Sequence, residues 1–251
     1  MYKIFAPTLF VGQRLVFVPE CPSTNTLAME MAAKTNLPEG TVVATTHQTG
    51  GRGQRGNVWH VAAGMNLTFS ILLKPVFLPL KNQFCLTMVT SLALIDYLRA
   101  ENMEAKIKWP NDILVGQKKI CGILIENSVQ RESIQLSIVG IGLNINQTDF
   151  DLPSATSLAL IGKKSFDLNL VMNTLLGKFE QRYLQLRAGK TDELKKEYLE
   201  NLFGRGEQRT FISNEKKFDG TIEDVSETGE LVVQVNDERR SYRLKEISFI
   251  L

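Results

Sequence analysis

Between Gln48 and Trp59 the chain reads Gln48-Thr49-Gly50-Gly51-Arg52-Gly53-Gln54-Arg55-Gly56-Asn57-Val58-Trp59, with four glycines and two arginines inside seven residues. Glycine at this density denies the segment a stable helix or strand. It also removes the Cβ atoms that would keep backbone N–H groups away from a ligand. A ribbon of such donors with guanidinium groups beside it suits an anion, either a phosphate or an activated carboxylate. The same residues describe an Arg-Gly surface turn or a weak nucleic-acid contact, and the stretch taken alone serves these readings equally.

Other candidates are scattered along the chain. Ser23, Thr24 and Asn25 precede the run Leu27-Ala28-Met29-Glu30-Met31-Ala32-Ala33, where a hydroxyl is placed to cap a helix. A capped helix start also holds such groups still enough to bind a polar ligand. Lys108-Trp109-Pro110-Asn111-Asp112 ends a strand at a turn signal, and in isolation Asp112 forms the turn while Lys108 is a solvated charge. The hairpin that follows weakens that reading, because Lys119 stands at the mouth of an otherwise apolar strand. Gly140-Ile141-Gly142-Leu143-Asn144 permits close approach by a ligand or a neighbouring strand. Gly189-Lys190-Thr191 has the ending of a phosphate loop, but Leu184 stands where the first glycine belongs and a helix precedes it, so it is a decoy.

The elements that must position these residues follow from periodicity. Strands are expected over 15–18, 41–46 and 66–73, with Leu67, Phe69, Ile71 and Leu73 sharing one face. The glycine loop is thus suspended between two strands and reads as a lid. Phe84, Met88, Leu92, Ile95 and Leu98 mark an amphipathic helix with one buried stripe over 82–101. Residues 105–109 alternate as a strand, and 113–115 and 118–126 form a hairpin about Gly116-Gln117. A strand over 133–139 runs into the glycine pair. Helices are expected over 167–188, ended by Gly189, and over 193–202. Beyond Gly204-Arg205-Gly206, short strands over 208–213, 218–225, 231–235, 239–244 and 247–251 suit a small β-barrel that leans on the larger domain. The expected class is α+β, with a mixed, largely antiparallel sheet. The expected domains are 1–203 and 204–251.

Bulk properties set limits. The chain has 251 residues, 43% hydrophobic and 22% charged, and Lys+Arg 29 against Asp+Glu 27 leaves a net charge of +2. That balance generates no field to recruit DNA or an anionic membrane, so neither is an expected partner. The N-terminal residues do not form a secretory leader, and no run of about 18 apolar residues occurs. A cytoplasmic location is expected. Cys21, Cys85 and Cys121 are widely spaced and read as free, buried thiols.

Taken in order, Ser23-Thr24-Asn25, Gln48 before Gly51-Arg52-Gly53-Gln54-Arg55-Gly56 with Trp59, Lys108-Trp109-Pro110-Asn111-Asp112, Lys119-Ile120-Cys121-Gly122-Ile123-Leu124-Ile125-Glu126 and Gly140-Ile141-Gly142-Leu143-Asn144 closely resemble the biotin protein ligases. The resemblance spans residues 15–146, and the terminal β-region is similar to that family's SH3-like domain. It implies that biotin and Mg-ATP yield biotinyl-5′-adenylate, and that a lysine of a biotin carboxyl carrier protein then takes the biotinyl group.

The resemblance also implies roles. Ser23, Thr24, Asn25 and Gln48 would read the ureido ring, while Arg52, Gly53 and Gln54 would close over the valeryl chain and phosphate. Lys119 would meet the activated carbonyl and α-phosphate. Arg55, Trp59, Gly122 and Asn144 would serve the nucleotide. Lys108 and Asp112 would give phosphate or metal support or act as base for the incoming amine, and no protein-held metal site is assigned. Two departures stand out. Gln54 fills a slot where the family often has arginine, implying looser retention of the adenylate, and Cys121 replaces a smaller residue. A lipoate or octanoyl ligase of the same fold and a non-catalytic biotin sensor are the competing expectations. Only 22 residues precede Ser23, so no DNA-binding repressor module is expected, and the chain is expected to be a monomer or a ligand-promoted homodimer.

Overall fold

A computed structural model describes residues 7–59 and 61–250, without the side chain of Arg55. One sheet contains seven strands, ordered β1 (Leu15–Cys21), β2 (Val42–Gln48), β3 (Leu67–Leu73), β7 (Ser133–Leu143), β6 (Lys118–Gln130), β5 (Asp112–Val115) and β4 (Ala105–Lys108). β1 and β2 run parallel and are joined by helix α1 (Thr24–Lys34), the crossover that a parallel pair requires. The other neighbours pair antiparallel, so the sheet is mixed and largely antiparallel as expected.

The register divides this sheet into two chemically different faces. Phe69 pairs with Ile141, and Ile141 with Ile123, placing these apolar side chains on the core side. One residue along, Ser70 pairs with Gly140 and Thr68 with Gly142, and Gly142 pairs with Gly122. The second face carries a small apolar cluster, Val43, Leu72 and Ile138 with Ala28 of α1, and is polar or bare at Thr68, Ser70, Gly140, Gly142 and Gly122, where the first is filled. β3 is buried on both faces, so the apolar alternation marks the core side while its hydroxyls mark the other.

Helix α2 (Phe84–Ala100) packs beneath the apolar face with α4 (Leu168–Arg187) and α5 (Thr191–Glu200). The expected single stripe is too narrow for α2. Cys85, Leu86, Val89, Ala93 and Leu94 are buried as well as the stripe, because sheet and helices enclose it on most sides. Helix α4 occupies the range expected of it and buries Val171, Leu175, Phe179, Tyr183 and Leu186, with Asp167 capping Asn169 N at 2.7 Å. Ser23 stands at the N-cap position of α1, but its hydroxyl makes no capping bond, which corrects the expected role. A short helix α3 (Leu158–Gly162) carries too few residues to show a period. The Gly140–Leu143 stretch lies inside β7 and does not follow it. The three cysteines are free and buried.

The second sheet is antiparallel, with five strands in the order β11 (Glu238–Tyr242), β10 (Leu231–Val235), β9 (Lys216–Val225), β8 (Gln208–Ser213) and β12 (Ser248–Phe249). Its interior, including Phe211, Ile222, Leu231, Val233 and Ile247, belongs to the same hydrophobic cluster as α2. Trp109 Nε1 donates to Gly229 O at 3.0 Å across the junction. Among the described residues, no helix is long and apolar enough to cross a membrane.

Candidate active site

The polar face of the large sheet opens into a cavity of about 260 Å³ between the start of α1, the glycine loop, the β5–β6 hairpin and the tip of the second sheet. Its floor is glycine. A Cβ on Gly140 would fall within the Asn25 carboxamide, and one on Gly142 within the Trp59 indole. Both side chains rest on bare backbone, which explains glycines inside a strand.

At the α1 end the polar groups are tied to one another. Gln48 Oε1 accepts from Thr24 N at 2.8 Å and from Thr24 Oγ1 at 3.2 Å. Ser70 Oγ lies 2.7 Å from both Thr24 Oγ1 and Asn25 Oδ1. Asn25 Nδ2 donates to Leu124 O at 3.1 Å and to Glu126 Oε2 at 2.8 Å. Thr24 and Asn25 are 2% and 3% exposed, and Ser23 lines the same end. Buried polar groups held this way form a fixed template for a polar ring.

The opposite end is cationic. Lys119 Nζ lies 2.6 Å from Asp112 Oδ1 and 5.6 Å over the Trp59 ring. Lys108, half-buried at the end of β4, also faces the cavity. Burial holds its ammonium below the usual lysine range, Asp112 pulls it back up, and Lys119 pushes it further down. The reading of Lys108 as a solvated charge therefore fails, and Asp112 is more than a turn former. Arg52 instead reaches from the loop towards the α1 end, to Glu126, the carboxylate that also holds Asn25, with Nη2 at 3.1 Å from Oε1, and contacts Thr26 Oγ1 at 3.1 Å. Three cations against one lining carboxylate, Asp112, favour an anionic guest.

The glycine loop lies against this wall. Arg52 bridges Val58, Gly53 N donates to Asn57 O at 2.6 Å, and residues 54–56 form a 3-10 turn. Gln54 lines the cavity with a buried Oε1 that has no partner among the described residues. Trp59 Nε1 is likewise unpartnered among the described residues. The Arg55 side chain lies outside the described residues.

Ser23, Thr24, Asn25, Gln48, Arg52, Gly53, Gln54, Trp59, Lys108, Asp112, Lys119 and Gly122 thus line one cavity. Asn144 does not. It is buried behind the wall, where its Nδ2 donates to Thr156 O at 3.0 Å. Sequence reasoning missed Thr68 and Ser70, whose signal was hydroxyls alternating with apolar residues in β3. It also missed Ile247, Ser248 and Phe249, which carry no local signal because they arrive from the second sheet.

Residues 17–144 match the biotin/lipoate A/B protein ligase family. The bifunctional ligase/repressor BirA of Bacillus spizizenii is 37% identical over 182 residues, covering 70% of this chain and 55% of that protein. The chain therefore spans about half the length of this curated relative. A biotin--[acetyl-CoA-carboxylase] ligase of Mycobacterium tuberculosis is 32% identical over 180 residues, covering 70% of this chain and 66% of that one. The biotin protein ligase of Aquifex aeolicus, solved with biotin and ATP, superimposes with a TM-score of 0.78 at 26% identity and covers 94% of this chain and 98% of its own.

Proposed function

From the premise that this chain belongs to the biotin/lipoate A/B protein ligase family, we propose that it joins biotin to a lysine of a biotin carboxyl carrier protein, with Mg-ATP as the activating substrate. The observation that carries this reading is the shared cavity, with a prebuilt hydrogen-bonding template at one end, Lys108 and Lys119 at the other, and Arg52 reaching in from the glycine loop. A small polar ring attached through an aliphatic chain to a carboxylate fits that division.

In the first step the biotin carboxylate attacks the α-phosphorus of ATP and pyrophosphate leaves. Both reactants are anionic, so the chain's part is to hold them together and to meet the charge that accumulates on the phosphoryl oxygens. Lys119 faces that position, and its ammonium keeps donors free beyond the one shared with Asp112. Arg52, Gly53 and Gln54 close over the acyl phosphate, while Trp59, Gly122 and Arg55 attend the nucleotide. In the second step the acceptor amine attacks the acyl carbon and AMP leaves, with Asp112 nearest the incoming amine and Lys108 supporting the phosphate through both steps. Asn144 supports the wall from behind through Thr156. Among the described residues no group of three or more His, Cys, Asp or Glu is gathered where it could hold a metal ion. Magnesium would arrive with the nucleotide, as part of that substrate. Residues 1–203 would carry the chemistry, with 204–251 completing the wall.

ATP-dependent transfer of labelled biotin to a carrier domain tests the reading. Transfer is expected, and unlabelled biotin should compete where lipoate does not. Binding of biotin without transfer would identify a sensor, and competition by lipoate would reassign the acyl substrate.

A further inference from the structure

The three cations of the site are held in two different ways. Arg52 and Lys119 are held by carboxylates, Glu126 and Asp112. Lys108 has no ion pair or side-chain hydrogen bond among the described residues, and its Nζ lies 5.6 Å from the centroid of the Phe249 ring. That ring comes from the other sheet. In β12, Ser248 pairs with Ile212 and Phe249 with Phe211, while Ile250 N donates to Thr210 O at 3.2 Å. Phe249 meets Phe211 edge-on at 5.4 Å, Phe211 stacks on Phe218 at 5.7 Å, and Phe218 stacks on Tyr242 at 5.7 Å. The neighbouring Ile247 is buried in the core. Phe249 is therefore the last member of an aromatic row that fixes its plane at the rim of the cavity.

The kind of partner matters. A carboxylate neutralises much of the charge it holds, so an anionic guest must share the cation with it. An aromatic face attracts the ammonium through its quadrupole and leaves the full charge available. An ammonium on a four-carbon stem otherwise samples many rotamers, and restraint by a rigid ring removes that freedom before the ligand arrives.

We propose that Phe249 is a positioning residue for Lys108, its ring holding the ammonium at the cavity wall so that the C-terminal strand sets the cationic end of the site. This rests on the ligase reading for the step affected but not for the contact itself. Phe249 touches no reacting atom, and it acts through Lys108.

Two measurements on the full chain test it. The first needs no activity: trace acetylation with acetic anhydride, read by peptide mass spectrometry, compares Lys108 with the exposed Lys216 as internal reference. Phe249→Leu should raise Lys108 labelling about five-fold relative to Lys216, and Phe249→Tyr, which keeps the ring, should restore the parent rate. Unchanged labelling in the leucine variant overturns the proposal. The second is a double-mutant cycle in biotin transfer. Phe249→Leu should lower kcat/KM for ATP about ten-fold with the KM for biotin unchanged, and should cost less than about two-fold in a Lys108→Met background. Equal losses in both backgrounds would mean that the ring only packs its own sheet. A parent protein that transfers no biotin refutes the ligase reading, while the labelling result still decides the Phe249–Lys108 contact.

Discussion

At one end of the cavity Thr24, Asn25, Gln48 and Ser70 are buried and bonded to one another, whereas Arg52 on the glycine loop and Lys119 at the other end are bonded to carboxylates that a ligand must share or displace. The first end is complete before anything binds. The cations are held by carboxylate partners, with the Arg52 side chain half exposed on a glycine ribbon and paired to Glu126 at 50% and 33% exposure. A ligand should therefore pay for little at the polar end and exchange partners at the cationic end. Glu126 links the two, because it accepts from Asn25 Nδ2 at 2.8 Å as well as pairing with Arg52.

The two floor glycines provide the sharpest way to break the contrast. Gly140→Ala drives a methyl into Asn25, whose carboxamide is tied to Leu124, Glu126 and Ser70 and cannot withdraw. It should cost about 2–3 kcal/mol of stability in chemical unfolding and abolish biotin binding. Gly142→Ala meets Trp59 instead, and if the glycine loop lifts as a lid does, stability should change by less than about 1 kcal/mol while ATP-dependent turnover falls. Equal destabilisation by the two variants would show the ends to be equally rigid.

Lys119→Ala should reduce turnover about 100- to 1,000-fold with biotin affinity nearly unchanged in calorimetry, since its cation meets charge that appears during reaction. Ser70→Ala should do the reverse on a smaller scale. Loss of its contacts to Thr24 and Asn25 should weaken biotin binding about ten-fold with little change in kcat. Gln54→Arg, adding a cation where the buried Oε1 is unpartnered among the described residues, should slow adenylate dissociation a few-fold in a filter-binding chase. Smallest of all, Glu126→Gln weakens an exposed ion pair and should tighten adenylate binding by about two-fold at low salt. Unchanged affinity there would mean that Arg52 is not held back by Glu126.

Much of this was legible in the chain because the elements carry strong periods. The β5–β6 hairpin is set by Gly116-Gln117, with Gly116 at φ 59°, and β8 and β10 have the bounds their alternation gives. The lining was legible wherever a polar residue interrupts an apolar pattern, as at Lys119. Three features escaped for physical reasons. Ser23 has the right type for a cap, but no local signal says whether its hydroxyl turns to its own helix or to a cavity. Asn144 sits beside the glycine pair in sequence, yet β7 carries it past the floor and behind the wall. Phe249 belongs to a strand whose partners are 36 or 38 residues distant, and no window of sequence reports which cavity its end will enter.

The hydrogen bond from Trp109 to Gly229 has a consequence for how the molecule comes apart. Phe84 leaves no room for a side chain at Gly229, and the same oily interior continues from α2 into the five-stranded sheet. Neither half can loosen without wetting the other, so heating should melt both together. Calorimetric and van't Hoff enthalpies should agree across a single transition, and protease should find no early cut between them.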